Sequence, residues 1–394
     1  MKEEITSLAY AKRVGERLRA IRKQKDLSLQ DVEQASPLQL DTSWPFQSFM
    51  VGDLDAGLTK PYRARKGLRR ESEMATRVII DTDPGIDDAQ AILFALFCGE
   101  FEIDALTTVF GNVPAKTAAA NVLRLLEMAG RTEIPVYLGA AEPLVRRRLH
   151  YAPKVHGKRG FGDRKLKRPR GKIQKNYAAV ELARRIVQAA GEITILALGP
   201  LTNIALAIRL EPEFVKHVRE IIFMGGIVAG HGNVSAVATA NVLNDSEAAK
   251  IVFNAGFRCL TMVGQDVTRP TRMLPERRER LRQAGGEIAE FLYEITRYYG
   301  NAYTREQIPG FPVHDLLVMI YALRPALFKT RLLHVDVETE GVLTEGMTVA
   351  DFRPYSKLKR NVNVCLKADA DAIFDWYEKV IMTACLARAQ GTIS

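Results

Sequence analysis

The chain has 394 residues, a net charge of +10 and a hydrophobic content of 47%, which suit one large α/β domain with an extension, or two domains. No apolar run reaches transmembrane length, and the first residues lack the basic-then-apolar order of a signal peptide. The four cysteines are scattered, as is typical of buried thiols in a reducing compartment. We therefore expect a cytoplasmic protein that needs no membrane, and whose positive charge permits nucleic-acid contact without indicating it.

Residues 1–73 differ in character from the rest of the chain. A helical apolar pattern over 11–25 and a second short helix over 26–35, capped by Ser28, resemble the first two helices of a Cro/repressor-type helix-turn-helix domain. The resemblance stops at Pro37 and Pro45, where such a domain needs further helices. We interpret this part as an incomplete, flexible helical extension, followed by one domain over 74–394. DNA binding through the extension is an alternative function, and it predicts salt-sensitive binding to duplex DNA.

The next segment places four aspartates between a strand and a helix. Residues 78–80 are β-branched, as in a buried strand, and residues 89–96 form an apolar helical run. Pro84 and Gly85 mark the turn between them, and the aspartates are Asp81, Asp83, Asp87 and Asp88. Helix capping accounts for one or two of these acids. Four buried carboxylates repel one another unless a cation neutralises them, and oxygen ligands favour Ca²⁺ or Mg²⁺ over zinc.

From this segment onward, strands and helices alternate. Strands are predicted over 104–110, 134–139, 192–198, 220–224 and 258–266, and helices over 116–130, 200–207 and 287–303. This alternation predicts an α/β fold with an open, mostly parallel, Rossmann-like sheet and helices on both faces. Open sheets of this kind bind ligands at the carboxyl ends of their strands. The acidic turn lies at such an end.

The acidic turn, Asp81-Thr-Asp-Pro-Gly-Ile-Asp-Asp88, closely resembles the signature of the calcium-dependent nucleoside hydrolases. Further motifs of that family follow in the expected order: Gly111-Asn112, His156-Gly-Lys-Arg-Gly160, Gly199-Pro-Leu-Thr-Asn-Ile-Ala205 and Val313-His-Asp315. A rival is the haloacid-dehalogenase phosphatase loop, in which Asp81 would be the nucleophile and Asp83 the acid/base. That loop has Thr or Val at the position of Gly85 and does not account for Asp87 and Asp88.

The resemblance implies the nucleoside hydrolase fold and hydrolysis of ribonucleosides to free base and ribose, in purine and pyrimidine salvage, by a homodimer or homotetramer. It implies Ca²⁺ bound by Asp83, Asp88, the carbonyl of Leu198 and Asp315. We assign Asp83 as the general base for a calcium-bound water and His314, with a pKa near neutrality, as the general acid. The implied substrate contacts are Asp87, Asn112, His156, Met224, Asn233, Thr239 and Asn241.

The sequence departs from the family pattern at two places. Thr239 occupies a position that is usually Glu, so a charge beside the sugar is lost. Arg159 occupies a position in the His156 loop that is often an acid or Thr, which bears on base preference. A catalytically altered relative that binds ribose or nucleosides without turnover is therefore a second alternative. A tyrosine cluster over 293–303 is expected either to stack on a base or to cover the core.

Overall fold

The structure is a computed structural model that describes residues 75–146, 151–162, 164 and 166–389. The helix-turn-helix resemblance over 11–35 lies outside the described residues, as does the whole of the extension predicted over 1–73. Within the described part, no helix has both the length and the apolar character needed to cross a membrane.

The strands and helices alternate along the chain. The strands are β1 (Thr76–Thr82), β2 (Phe101–Thr108), β3 (Val136–Leu138), β4 (Thr194–Ala197), β5 (Glu220–Met224), β6 (Leu260–Val263), β7 (Arg272–Met273), β8 (Phe311–Pro312), β9 (Phe328–Val337), β10 (Thr348–Asp351) and β11 (Val362–Ala368). The helices are α1 (Ile86–Phe97), α2 (Ala115–Ala129), α3 (Pro153–His156), α4 (Ala178–Ala189), α5 (Thr202–Leu210), α6 (Phe214–His217), α7 (Ala240–Asn244), α8 (Ser246–Phe253), α9 (Gln265–Thr268), α10 (Pro275–Gln283), α11 (Gly286–Tyr303), α12 (Leu316–Leu323) and α13 (Ala370–Ala389).

Nine strands form one sheet in the order β10-β9-β11-β6-β5-β4-β1-β2-β3. Pairing is parallel from β3 across to β11, whereas β9 runs antiparallel to both β11 and β10. Helix α1 packs against α2, α12 and α13, and a second group, α4, α5, α6 and α8, packs together. The predicted open, mostly parallel sheet with two helical layers is confirmed.

The order of the strands reverses beside β1. The chain passes from β1 to β2 and β3 on one side, and then returns to place β4 on the other side. A reversal of this kind opens a crevice at the carboxyl ends of the strands, and α/β proteins bind ligands there. The acidic turn that follows β1 lies in this crevice, between the ends of β2 and β4.

Strand β1 and helix α1 are both rich in apolar residues and are both buried. Val78, Ile79 and Ile80 are fully buried, as expected for a central strand covered on both faces. In α1 every residue from Ile86 to Leu96 is buried, which is typical of a helix packed on all sides. The turn that joins these two elements therefore has no freedom to move its carboxylates into bulk solvent.

Candidate active site

Three buried carboxylates lie together at the end of β1. Asp87, Asp88 and Asp315 each offer an oxygen, and these atoms lie within 4.8 Å of one another. Asp87 and Asp88 belong to the first turn of α1, and Asp315 immediately precedes α12. An all-oxygen group of this charge suits a hard divalent cation. The group contains Asp87 where the sequence analysis expected Asp83.

Asp83 lies beside this group with one oxygen unused. Its Oδ2 accepts the backbone N–H of Asn112 at 2.5 Å, and its buried Oδ1 has no partner among the described residues. Burial, followed by the charges of Asp88 and Asp87, raises the pKa of Asp83 well above its ordinary value. A carboxylate with a raised pKa and a free oxygen is equipped to accept a proton.

Two strand-end glycines make room for the Asp83 carboxylate. A Cβ at Gly111, after β2, would overlap with Oδ2 of Asp83, and a Cβ at Gly199, after β4, would lie 2.8 Å from Oδ1. Gly85 has the same role beside His156 and Asn112, because its Cβ would overlap with the imidazole and lie 2.9 Å from the Asn112 amide. The motif glycines are therefore needed for close approach to functional side chains.

Asp88 is held by three donors. The Thr82 hydroxyl donates to Oδ1 at 2.5 Å, and the backbone N–H of Gly85 and the side-chain amide of Asn112 donate to Oδ2 at 2.9 and 3.1 Å. These bonds orient the carboxylate toward the shared cluster. They also hold the Asn112 side chain, which was predicted to contact the substrate, against the acidic turn.

Asp87 begins a chain of hydrogen bonds that ends at His314. The Tyr299 hydroxyl donates to Oδ2 of Asp87 at 3.2 Å, and it lies 3.3 Å from the Tyr303 hydroxyl. The Tyr303 hydroxyl in turn lies 3.3 Å from Nε2 of His314. Burial, followed by the charge of Asp88, raises the pKa of Asp87 to about 7. Its Oδ1 has no hydrogen-bond partner among the described residues, and Nδ1 of His156 lies 3.7 Å from it.

The expectation that His314 has a pKa near neutrality is wrong. Burial, followed by the positive charges of Arg272 and Arg269, lowers the pKa of His314 to about 3, so the imidazole is neutral at pH 7. Its Nδ1 lies 2.7 Å from the hydroxyl of Thr268.

His156 is also a neutral, buried imidazole. Its Nδ1 accepts the backbone N–H of Ile86 at 3.1 Å, which places its own proton on Nε2. Burial, followed by the charge of His314, lowers its pKa to about 3. Its ring lies 5.3 Å from that of Tyr299, so the loop of the His156 motif faces the tyrosine cluster.

Amides and hydroxyls form another part of the site. The Asn241 amide donates to the carbonyl oxygens of Leu198 and Met224. The Thr239 hydroxyl accepts the backbone N–H of Gly226 at 2.8 Å. Asn233 lies on an exposed loop, where its Oδ1 accepts the backbone N–H of Ala240 at 3.1 Å. The carbonyl of Leu198 retains a second lone pair.

These groups line one cavity of about 370 Å³. Of the residues predicted from the sequence, its wall includes Asp87, Asn112, His156, Leu198, Met224, Asn233, Thr239, Asn241, His314 and Asp315. Asp83 and Asp88 lie just behind that wall. The wall also contains Tyr299 and Tyr303, for which the sequence left two roles open. Gln265, which the sequence analysis missed, begins α9 at the same edge of the sheet, and that position was its only signal.

Asp81 supports the site without lining the cavity. Its Oδ1 accepts the hydroxyl of Thr107 at 2.5 Å and the amide of Asn203 at 2.7 Å, and burial raises its pKa to about 7. Asn203 also donates to the carbonyl of Thr108 at 3.0 Å and accepts the N–H of Ala140 at 2.9 Å. Asp81 and Asn203 therefore tie the ends of β1, β2 and β3 together. Asp81 does not line the cavity, and this does not suit the phosphatase alternative, in which it would be the nucleophile.

Comparison with known proteins gives one consistent result. Residues 78–375 match the family model described as inosine-uridine preferring nucleoside hydrolase. A probable uridine nucleosidase of Arabidopsis thaliana is 39% identical, over 75% of this chain and 94% of its own length. A pyrimidine-specific ribonucleoside hydrolase of Klebsiella pneumoniae is 38% identical, over 77% and 97%. The solved structure of a plant nucleoside hydrolase superposes with a TM-score of 0.74 at 35% identity, over 78% of this chain and 99% of its own.

Replacing Asn203 tests the support of the acidic turn. We expect Asn203→Leu to lower the free energy of unfolding by about 3 kcal/mol, because buried groups at the ends of three strands lose their partners. Urea denaturation measures this loss. Gln283→Leu, at an exposed side-chain amide of α10, is the control and should stay within about 0.5 kcal/mol of the wild type. Equal midpoints for the two variants would contradict the role given to Asn203.

The metal-free protein should lose stability as the pH rises through about 7. Burial raises the pKa values of Asp81 and Asp87 to about 7, whereas in the unfolded chain aspartate titrates near about 3.9. The folded state thus holds protons that the unfolded state has lost, and this stabilisation is complete below about pH 4 and is lost as the pH rises through about 7.

Calorimetry in a chelator at about pH 5 and about pH 8 measures this effect as a fall in Tm. Asp315→Asn should reduce the fall, since it removes one of the mutually repelling carboxylates, and the exposed Glu142→Gln should not. A Tm that is higher at pH 8 than at pH 5 in the chelator would count against the carboxylate cluster as its cause. Adding a divalent cation that takes oxygen ligands should recover most of the lost Tm at pH 8, where the carboxylates are ionised.

Proposed function

The chain belongs to the inosine-uridine preferring nucleoside hydrolase family, and we propose that it hydrolyses the N-glycosidic bond of ribonucleosides with Asp83 as general base and Ca²⁺ as cofactor. The observation that carries this proposal is the unpartnered, buried Oδ1 of Asp83 beside three clustered carboxylates. The product pair is the free base and ribose. Uridine is the first substrate to test, since the relatives include a uridine nucleosidase and a pyrimidine-specific hydrolase.

The donor set fits a calcium ion. Asp88 and Asp315 belong both to the predicted ligand set and to the observed cluster, and Oδ1 of Asp83 and the carbonyl of Leu198 are the other proposed ligands. Bound there, Ca²⁺ would orient the ribose hydroxyls and make a coordinated water more acidic. The orphaned oxygens of Asp83 and Asp87 support this assignment, because a buried carboxylate oxygen without a donor is costly unless a cation or ligand meets it.

Asp83 would take the proton of the attacking water on Oδ1. The N–H of Asn112 at Oδ2 keeps the carboxylate in place, and Oδ1 is left without a protein donor. Cleavage of a glycosidic bond passes through an oxocarbenium-like state. The negative charge concentrated in this turn stabilises the positive charge that develops on the sugar. Because the turn is rigid, this stabilisation needs no reorganisation of the protein.

The sugar and the base are held by different residues. We assign the free Oδ1 of Asp87, with Asn112 and Asn241, to the ribose hydroxyls, and Met224, Asn233 and Thr239 to the rest of the sugar. His156, Tyr299 and Tyr303 offer aromatic surface to the base. His314 is neutral at pH 7, so we propose that it assists the leaving base as a hydrogen-bond donor rather than as an imidazolium.

Three further assignments stay predictions. We propose a homodimer or homotetramer in the cytoplasm, which size-exclusion chromatography with light scattering and fractionation would test. A DNA-binding role rests on residues 11–35, outside the described part of the chain. The turnover assay described below distinguishes the enzyme from the alternative, a protein that binds nucleosides without hydrolysing them.

Asp83→Asn should abolish turnover. The amide cannot accept the proton, and we expect the rate of ribose release to fall by at least about a thousandfold. The measurement is release of reducing sugar from uridine, cytidine, inosine and adenosine. Asp371→Asn, at an exposed aspartate of α13, is the control and should keep the wild-type rate. A wild type that binds Ca²⁺ and uridine but releases no ribose from any substrate would favour the altered relative.

The enzyme should prefer ribose to 2′-deoxyribose. A site built around a hydroxyl leaves its own buried groups unpaired when that hydroxyl is missing, so kcat/KM should be at least about a hundredfold higher for uridine than for 2′-deoxyuridine. Asp87→Asn should narrow this ratio, whereas Asp371→Asn should leave it unchanged. Equal values of kcat/KM for uridine and 2′-deoxyuridine would show that Asp87 and the cation site do not bind the 2′- and 3′-hydroxyls.

A further inference from the structure

Gln265 is a buried polar residue that faces the cavity without a partner. It lines the cavity and is 2% exposed. Neither its Nε2 nor its Oε1 has a hydrogen-bond partner among the described residues. A buried carboxamide without partners destabilises the folded protein. Because Gln265 lies on the wall of a binding cavity, a ligand can supply the hydrogen-bond partners that the protein does not.

The backbone places Gln265 beside the polar part of the wall. Its N–H donates to the carbonyl of Gly226 at 2.8 Å, and the N–H of Gly226 donates to the hydroxyl of Thr239 at 2.8 Å. Gly226 follows Met224, whose carbonyl accepts the Asn241 amide at 3.0 Å. Gln265 therefore belongs with the amide and hydroxyl groups of the cavity, whereas His156, Tyr299 and Tyr303 form the aromatic part.

A ribonucleoside has two substituents, the base and the 5′-hydroxymethyl group, that could face the aromatic part and the polar part of the wall. In the proposed function, on which this inference rests, the 2′- and 3′-hydroxyls meet the carboxylate cluster. The base then projects from C1′ and the hydroxymethyl group from C4′, in different directions. Aromatic rings suit the flat face of the base, and neutral amides suit a hydroxyl. We propose that Gln265 is a specificity-determining residue that hydrogen-bonds the 5′-hydroxyl of the substrate.

A carboxamide matches a hydroxyl in both directions. Its NH₂ donates to the hydroxyl oxygen and its carbonyl accepts the hydroxyl proton, so one substrate group meets both unpartnered atoms. A substrate without the 5′-hydroxyl leaves both atoms buried and unpaired. Gln265 therefore makes the enzyme select nucleosides with a free 5′-hydroxyl over their 5′-deoxy analogues.

The test compares uridine with 5′-deoxyuridine for the wild type and Gln265→Leu, a variant of similar size. We expect Gln265→Leu to lower kcat/KM for uridine about tenfold and to change kcat/KM for 5′-deoxyuridine by less than about twofold. Its Tm should equal or exceed that of the wild type, because an apolar side chain removes two unpartnered polar atoms. A proportional loss on both substrates, or no loss on either, would overturn the assignment.

Thr330→Val is the matched control. Thr330 lies on β9, is buried and also has an unpartnered hydroxyl, but it does not belong to the cavity wall. Its replacement should leave the preference for uridine unchanged. Calorimetric binding of 1,4-anhydroribitol and of its 5-deoxy analogue, both fixed as five-membered rings, gives a second readout that does not need turnover. Gln265→Leu should weaken only the binding of 1,4-anhydroribitol. An enzyme that binds both sugars as predicted but hydrolyses no nucleoside would refute the proposed function and leave this assignment standing.

Discussion

The constraint on which the site depends is the repulsion among buried carboxylates. Asp81, Asp83, Asp87, Asp88 and Asp315 all lie at the carboxyl edge of the central sheet, and each is at most 5% exposed. Burial disfavours the ionised forms of Asp81, Asp83, Asp87 and Asp315, and neighbouring charges add to this effect at the last three. Hydrophobic packing of β1 and α1 on both sides holds the acids in this position. Because these acids destabilise the protein while they are unneutralised, they favour the binding of a cation and of a sugar that carries positive charge.

The crowding of these acids explains the glycines and the hydrogen-bond donors that surround the turn. Gly111 and Gly199 let the ends of β2 and β4 approach Asp83, while Thr82, Gly85 and Asn112 donate to Asp88. Thr107 and Asn203 both donate to Oδ1 of Asp81 instead. Three buried carboxylate oxygens nevertheless have no hydrogen-bond partner among the described residues, and these are Oδ2 of Asp81, Oδ1 of Asp83 and Oδ1 of Asp87. Asp87 lines the cavity and Asp83 is bonded to the cavity residue Asn112, whereas Asp81 does not line the cavity.

The sequence predicts the sheet, the acidic turn and most of the cavity wall, because these depend on local patterns and on a signature with fixed spacing. Asp315 and His314 could be placed only through resemblance, since more than two hundred residues separate them from the turn. The pKa of His314 could not be predicted, because it depends on burial and on Arg269 and Arg272, which approach from other parts of the chain. Gln265 carries no signal in its local pattern, and only the folded structure shows that its amide lacks partners.

The hydrogen-bonded tyrosines allow the proton of His314 to be located. An ionised Asp87 can only accept, so Tyr299 must donate to it. Burial raises the pKa values of Tyr299 and Tyr303, so both stay protonated. Tyr299 has then used its single proton and must accept from Tyr303, and Tyr303 must in turn accept from Nε2 of His314.

This ordering places the His314 proton on Nε2, with Nδ1 accepting from the Thr268 hydroxyl. When Asp87 is protonated, Tyr299 no longer has to donate to it, because a carboxylic acid can donate to the Tyr299 hydroxyl. Every hydrogen bond from Asp87 to His314 can then reverse its direction. The charge of an acid at the sugar end of the cavity thereby sets which nitrogen carries the proton at the base end. A cation that keeps Asp87 ionised would therefore hold the His314 proton on Nε2. That N–H would have to exchange Tyr303 for the base when it assists the departure of the base.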